Sequence, residues 1–296
     1  MNRYTGTSAA QRPLRSAKTR PAKANYSFKT NAEGWIPTAG TFAELFASLL
    51  ELPSIRLQLE HAYGSLAMQM SNEELGLILS GLQLDPAIEI SHDEADPLID
   101  SWARLEVCDQ CGSPGFLNCY NFAGLRLLKI QASAGVEPSD WARVLEQVTD
   151  PSKLKTVAAS DSFPEKTSQQ KPLPDDFHPV EMKKWTFLRL IVEYSKRSLP
   201  LEFCLPSYGL SLRSAFTVQE IDEGRGLLTC MSPRAGFQLN MSALETFAVG
   251  TRDGRETLFL MSSTDSTMLE VAPPSNSVGA SFWLDEIQEA IADSNP

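Results

Sequence analysis

The chain has 296 residues, room for two domains of ordinary size, with hydrophobic (42%) and aromatic (8%) fractions typical of globular proteins. Its net charge is −11, but residues 1–34 carry seven basic groups against Glu33 alone, which leaves −17 on the remainder. An acidic body repels phosphate backbones, so nucleic-acid binding along the chain is not expected. No stretch approaches the roughly 20 apolar residues that cross a bilayer, and no apolar segment follows the basic N-terminus. A membrane span and a secretory signal are therefore not expected. Five cysteines, an odd number, then point to free thiols in a reducing cytoplasm.

Residues 1–39 read as a basic, disordered tail. A first unit follows over 40–150. It opens with an amphipathic helix carrying Phe42, Leu45, Phe46 and Leu49, and Pro53 lies where that helix must stop. Two alternating strands come next, Ile55, Leu57 and Leu59 into Leu66 and Met68, around a Tyr63-Gly64 turn. A late hairpin runs from Leu117–Tyr120 through Ala123-Gly124 into 125–130. The unit closes with a helix bearing Trp141, Val144, Leu145 and Val148, for which Ser139 is the expected N-cap.

Residues 151–178, rich in Pro, Ser, Lys and Asp, cannot offset their ordering entropy by burial and read as a linker. The second unit, 179–296, repeats the first. A gapless shift of 145 residues lays Phe42 on Phe187, Leu45 on Leu190, Phe46 on Ile191 and Tyr63-Gly64 on Tyr208-Gly209. Pro200 then stops the helix. Leu201, Phe203 and Leu205 lead into Leu210 and Leu212; Leu244–Val249 returns through Asp253-Gly254 into Thr257–Met261; and a helix with Trp283, Ile287 and Ile291 closes the unit. The expected class is α+β: a tandem duplication of an antiparallel β-sheet unit flanked by helices.

Chemistry-bearing residues are sparse. Cys108 and Cys111 form a CxxC pair with Cys119 nearby. No second pair completes a zinc set, and a Gly112–Gly115 turn stands where a thioredoxin-type motif needs a helix. Structural thiols are the reading, with metal and redox roles as alternatives. Of three histidines, His61 sits at the Tyr-Gly turn as a surface residue, His92 lies among carboxylates, and His178 ends the linker. Asp175 and Asp176 read as solvated. With no Ser/His/Asp set, no phosphate loop and no HExxH, an enzyme working through its own side chains is not supported.

The ordered motifs resemble the repeat unit of bacterial hemin-degrading and hemin-transport proteins, the HemS/ChuX family. Residues 199–203 with Gly209–Arg213 look like that family's strand pair, and Ala235–Asn240 looks like its G-F-N-L-H strand. Residues 103–107, 117–121 and 123–130 look like its closing strand and hairpin. This chain departs from the pattern at Arg213 and Asn240, where the family has histidines, and at Cys108-Asp109-Gln110, where it has a basic turn. The resemblance implies heme as cofactor and a role in intracellular hemin trafficking, storage or degradation. It places His178 roughly where the family's axial histidine arises, and offers Arg213 as a partner for a propionate. The alternative is a non-enzymatic adaptor or ligand-binding module, with a protein partner, that kept the scaffold and lost heme ligation.

Overall fold

The computed structural model describes residues 35–36, 40–79, 88–90, 101–102, 104–110, 113–120, 126–149, 173–207, 210–281 and 283–292. The basic segment before Trp35, most of the expected linker, His92, Cys111 and Tyr208-Gly209 lie outside them.

The first half contains β1 (Trp35–Ile36), β2 (Gly40–Thr41), α1 (Phe42–Leu49), β3 (Ser54–His61), β4 (Gly64–Ser71), α2 (Asn72–Leu79), β5 (Ile88–Ile90), β6 (Ser101–Trp102), β7 (Arg104–Gln110), β8 (Ser113–Tyr120), β9 (Arg126–Ala132) and α3 (Pro138–Thr149). The second half contains β10 (His178–Val180), α4 (Lys184–Lys196), β11 (Leu201–Ser207), β12 (Leu210–Phe216), β13 (Glu220–Gly224), β14 (Leu227–Met231), β15 (Ala235–Asn240), β16 (Leu244–Arg252), β17 (Arg255–Ser262), β18 (Thr267–Ala272) and α5 (Trp283–Ala292).

Local chemistry explains several boundaries. Helix α2 is held by a reciprocal capping box: the Glu74 amide donates to Ser71 Oγ (3.2 Å) and the Ser71 amide donates to the Glu74 carboxylate (2.7 Å). Helix α3 starts one residue before the expected cap. Pro138 takes the first helical position, where its missing N–H costs nothing, and the Glu137 carbonyl accepts from Asp140 and Trp141. The Asp253-Gly254 turn has φ of 52° and 74°, as a two-residue hairpin with both central residues left-handed requires.

The duplication is visible in strand order. One sheet runs β1-β7-β8-β9-β3-β4 and the other β10-β16-β17-β18-β11-β12, position for position the same. Each is then completed by the other half. Strands β15, β14 and β13 extend the first sheet beyond β4, and β5 extends the second beyond β12. This exchange is absent from the helix–meander–helix unit expected from sequence. The order also re-pairs the late hairpins. The β8–β9 hairpin corresponds to β17–β18, whereas β16–β17 corresponds to β7–β8. The two turns matched in sequence are successive, not equivalent, because Ala-Gly and Asp-Gly signal any hairpin alike.

Gly64 is explained by the exchange, since a Cβ there would collide with the Gln238 carbonyl of β15. A continuous core joins the halves: Phe203 of β11 stacks on Phe237 of β15 with ring centroids 4.6 Å apart. Helices α1 and α3 bury Leu45, Phe46, Leu49, Trp141, Val144 and Leu145 in that core, as α4 does with Phe187, Leu190, Ile191 and Tyr194.

Both expected irregular segments end in order. Trp35–Ile36 pairs with β7, and His178–Val180 pairs with β16 at the same place in the second sheet. Residues 173–177 are also fixed. The Phe177 amide donates to the Pro174 carbonyl, and its ring packs edge-on against Phe259 at 5.7 Å. Among the described residues, no helix is long and apolar enough to cross a membrane.

Candidate functional site

Side chains in a strand alternate between faces, and residues directly opposite one another share a face. In the second sheet the register links Arg213, Cys204, Glu270, Phe259, Ala248 and Pro179 in one row across the strands. This outer row lies on the face turned away from the core. The inner row includes Phe203, Val271, Leu258, Val249 and His178.

The outer face carries a buried ionic cage around a cavity of about 10 Å³, lined by Glu202, Cys204, Arg213, Arg252, Arg255 and Glu270 among others. Arg213 pairs with Asp253 at 2.9 Å and with Glu202 at 3.4 Å; Arg255 reaches Glu202 at 2.8 Å, and Arg252 reaches Glu270 at 3.2 Å. Arg252 also lies over the Phe259 ring at 5.4 Å. Three guanidiniums thus face three carboxylates. Arg213, only 8% exposed, is no surface residue. The Cys204 thiol within the cage is pushed up by burial and stays protonated.

His178 lies elsewhere. It opens β10, the edge strand, and its side chain is exposed. Nδ1 lies 2.9 Å from the Asp176 carbonyl oxygen, which only accepts, so Nδ1 carries the proton and Nε2 keeps its lone pair. From β10 to β12 the sheet makes five strand steps, roughly 24 Å at the usual spacing. The two residues named from sequence therefore stand on opposite faces and far apart.

Among the described residues, the other candidate donors are enclosed or already hydrogen-bonded. His61 donates from Nε2 to the Met268 carbonyl (2.8 Å) and accepts at Nδ1 from the Tyr63 amide (2.9 Å), bridging the halves. Burial lowers its pKa and keeps it neutral. It is part of the junction, not the surface residue expected. Cys119 and Cys230 are buried thiols, the latter pushed up to about 12 by desolvation. The side chain of Cys108 lies outside the described residues. Asn240 sits at the end of β15, where its Oδ1 accepts from the Ser242 amide at 3.0 Å.

No protein-family model and no curated protein sequence matches the chain. Solved structures do. ChuS, a heme oxygenase of E. coli, superposes with a TM-score of 0.62 at 10% identity, covering 87% of this chain and 89% of that one. Holo-PhuS, a heme-binding protein of Pseudomonas aeruginosa, superposes at 0.58 with 7% identity, covering 81% and 82%. The fold is HemS/ChuX-like. The likeness spans both halves of the chain.

Tested against heme, the residues divide. An exposed imidazole with Nε2 open suits an axial ligand. Its surroundings are acidic, with the carboxyl groups of Asp176 and Glu256 nearby. Propionates at that place have to point away from both. Arg213 stands on the other face, paired with Asp253 and Glu202. The two residues therefore do not face one common ligand.

Proposed function

We propose that the protein binds heme and handles it in the cytoplasm, in trafficking, storage or degradation, with His178 as axial donor. The observation that supports this reading is a HemS/ChuX-like fold shared with a heme oxygenase and a heme-binding protein over more than four fifths of each chain. His178 would hold the heme through its open Nε2, and the chain's own part is to present that nitrogen at the sheet edge. Arg213 enters the proposal as the contact for a porphyrin on the outer face.

Titration with hemin, followed by absorbance, tests the reading. A saturable Soret change at one equivalent is expected. His178→Ala should move the Soret band and weaken binding tenfold or more, while His92→Ala leaves both as in the parent. If Arg213→Ala, and not His178→Ala, abolishes the change, the outer face is the site. Featureless, non-saturating uptake overturns heme binding in favour of an adaptor on the same scaffold.

A further inference from the structure

The segment that carries His178 is held to the sheet more firmly than its composition predicts. Asp176 Oδ1 accepts from the Thr251 amide at 2.8 Å and Oδ2 accepts from the Thr251 hydroxyl at 2.5 Å. Both are charge-assisted bonds to an ionised carboxylate. The same bonds, the hydroxyl first, hold the Asp176 carboxyl below its ordinary range, so it is ionised at neutral pH. Asp176 is therefore an exposed acid, as expected, that is also a fixed contact of β16.

Gly250 completes the seat. A Cβ at Gly250 would lie 3.2 Å from Phe177 Cα, 3.3 Å from Pro174 Cγ and 3.4 Å from Asp176 Oδ1. The turn at 174–177 thus lies directly on the β16 backbone, and a side chain at Gly250 would have to push it away by a few tenths of an ångström. With Asp176 fixed by its side chain, its carbonyl is free to accept from His178 Nδ1. A hydrogen bond at one imidazole nitrogen decides which nitrogen is left as the donor.

We propose that Asp176, Thr251 and Gly250 form a positioning clamp that fixes His178 in the Nδ1–H tautomer and turns the Nε2 lone pair outward toward a Lewis-acidic ligand. The identity of that ligand as ferric heme rests on the reading above; the clamp does not. At the matching edge of the first sheet stand Trp35 and Ile36, preceded by Gly34 in sequence, so among the described residues no imidazole repeats His178 there.

The test is nitrogen NMR of ¹⁵N-histidine-labelled full-length protein without ligand, with His178→Ala for assignment. His61, which donates from Nε2, provides an internal reference of the opposite tautomer. His178 is expected as Nδ1–H. Thr251→Val, at an exposed position, should shift it toward a mixture and weaken hemin binding several-fold; Thr251→Ser should restore both. A parent His178 in the Nε2–H form, or a tautomer ratio indifferent to Thr251→Val, overturns the clamp. If the tautomers behave as expected but His178→Ala binds hemin like the parent, the clamp stands and the heme reading at this residue fails.

Discussion

The two sheets share one strand order and differ in what their outer faces meet. In the first, β3 alternates strictly: Ile55, Leu57 and Leu59 are buried, while Arg56, Gln58 and Glu60 face outward and are at least partly exposed. In the second, β17 and β18 are buried along almost their whole length, on both faces. Near-continuous apolar runs mark a sheet covered on both sides, and alternation marks one left half-solvated. The covered face had to accommodate charged residues, which it did by pairing them into a cage. One fold thus supports a half-solvated β3 in one half and a dry ionic cluster in the other.

That contrast can be broken by mutation. The largest effect is expected at the seam the halves share. Phe237→Ala, in a strand the second half contributes to the first sheet, should cost about 3–5 kcal/mol. Unfolding should remain a single transition for parent and variant alike, because the core is continuous. Two separated transitions in calorimetry would show that the halves melt apart, against the exchange.

A smaller difference sets the outer faces against each other. Arg213→Ala removes a buried guanidinium from beside the buried Glu202 and the more exposed Asp253, and should cost about 3 kcal/mol. The first sheet's Arg126–Glu60 pair is partly exposed, so Arg126→Ala should cost no more than about 1 kcal/mol. Equal losses in denaturant titration would erase the distinction between the faces.

The smallest effect concerns His61 at the junction. Its folded pKa lies below the ordinary 6.5, with burial as the leading cause. As pH falls through that value, the unfolded chain takes up a proton the folded imidazole refuses, so stability declines. The decline levels off once the folded group protonates as well, and above that window His61 contributes no slope. His61→Gln should flatten the profile between pH 7 and 5. An unchanged profile would assign the slope to other groups.

Much of the fold was legible because its signals are local. The helix stripe at Leu45, Phe46 and Leu49, the β3 alternation and the Asp253-Gly254 turn each depend on residues within a few positions. Strand exchange left only an indirect trace. Gly64 marks where β15 must approach, but a glycine after a tyrosine reads equally well as a plain turn. Helix α2 was missed although Ser71-Asn72-Glu73-Glu74 spells its capping box. The site was less legible still. Nothing near His178 in sequence reveals Thr251, because their contact depends on which strands become neighbours. Nothing next to Arg213 in sequence reveals its burial either, because the carboxylates that pair with it, Glu202 and Asp253, come from neighbouring strands or turns.

The exchange also imposes a timetable on synthesis. Met68 of β4 finds its ladder partner in Ala235, 167 residues later in the chain. At translation rates of about 5–20 residues per second, roughly 10–30 s pass between the two leaving the ribosome. Through that interval the nascent first half displays the bare edge of β4 and an incomplete core, the condition in which strands pair with the wrong neighbour. Until β15 arrives the first sheet is incomplete, and a message truncated before Ala235 encodes a protein that cannot finish it.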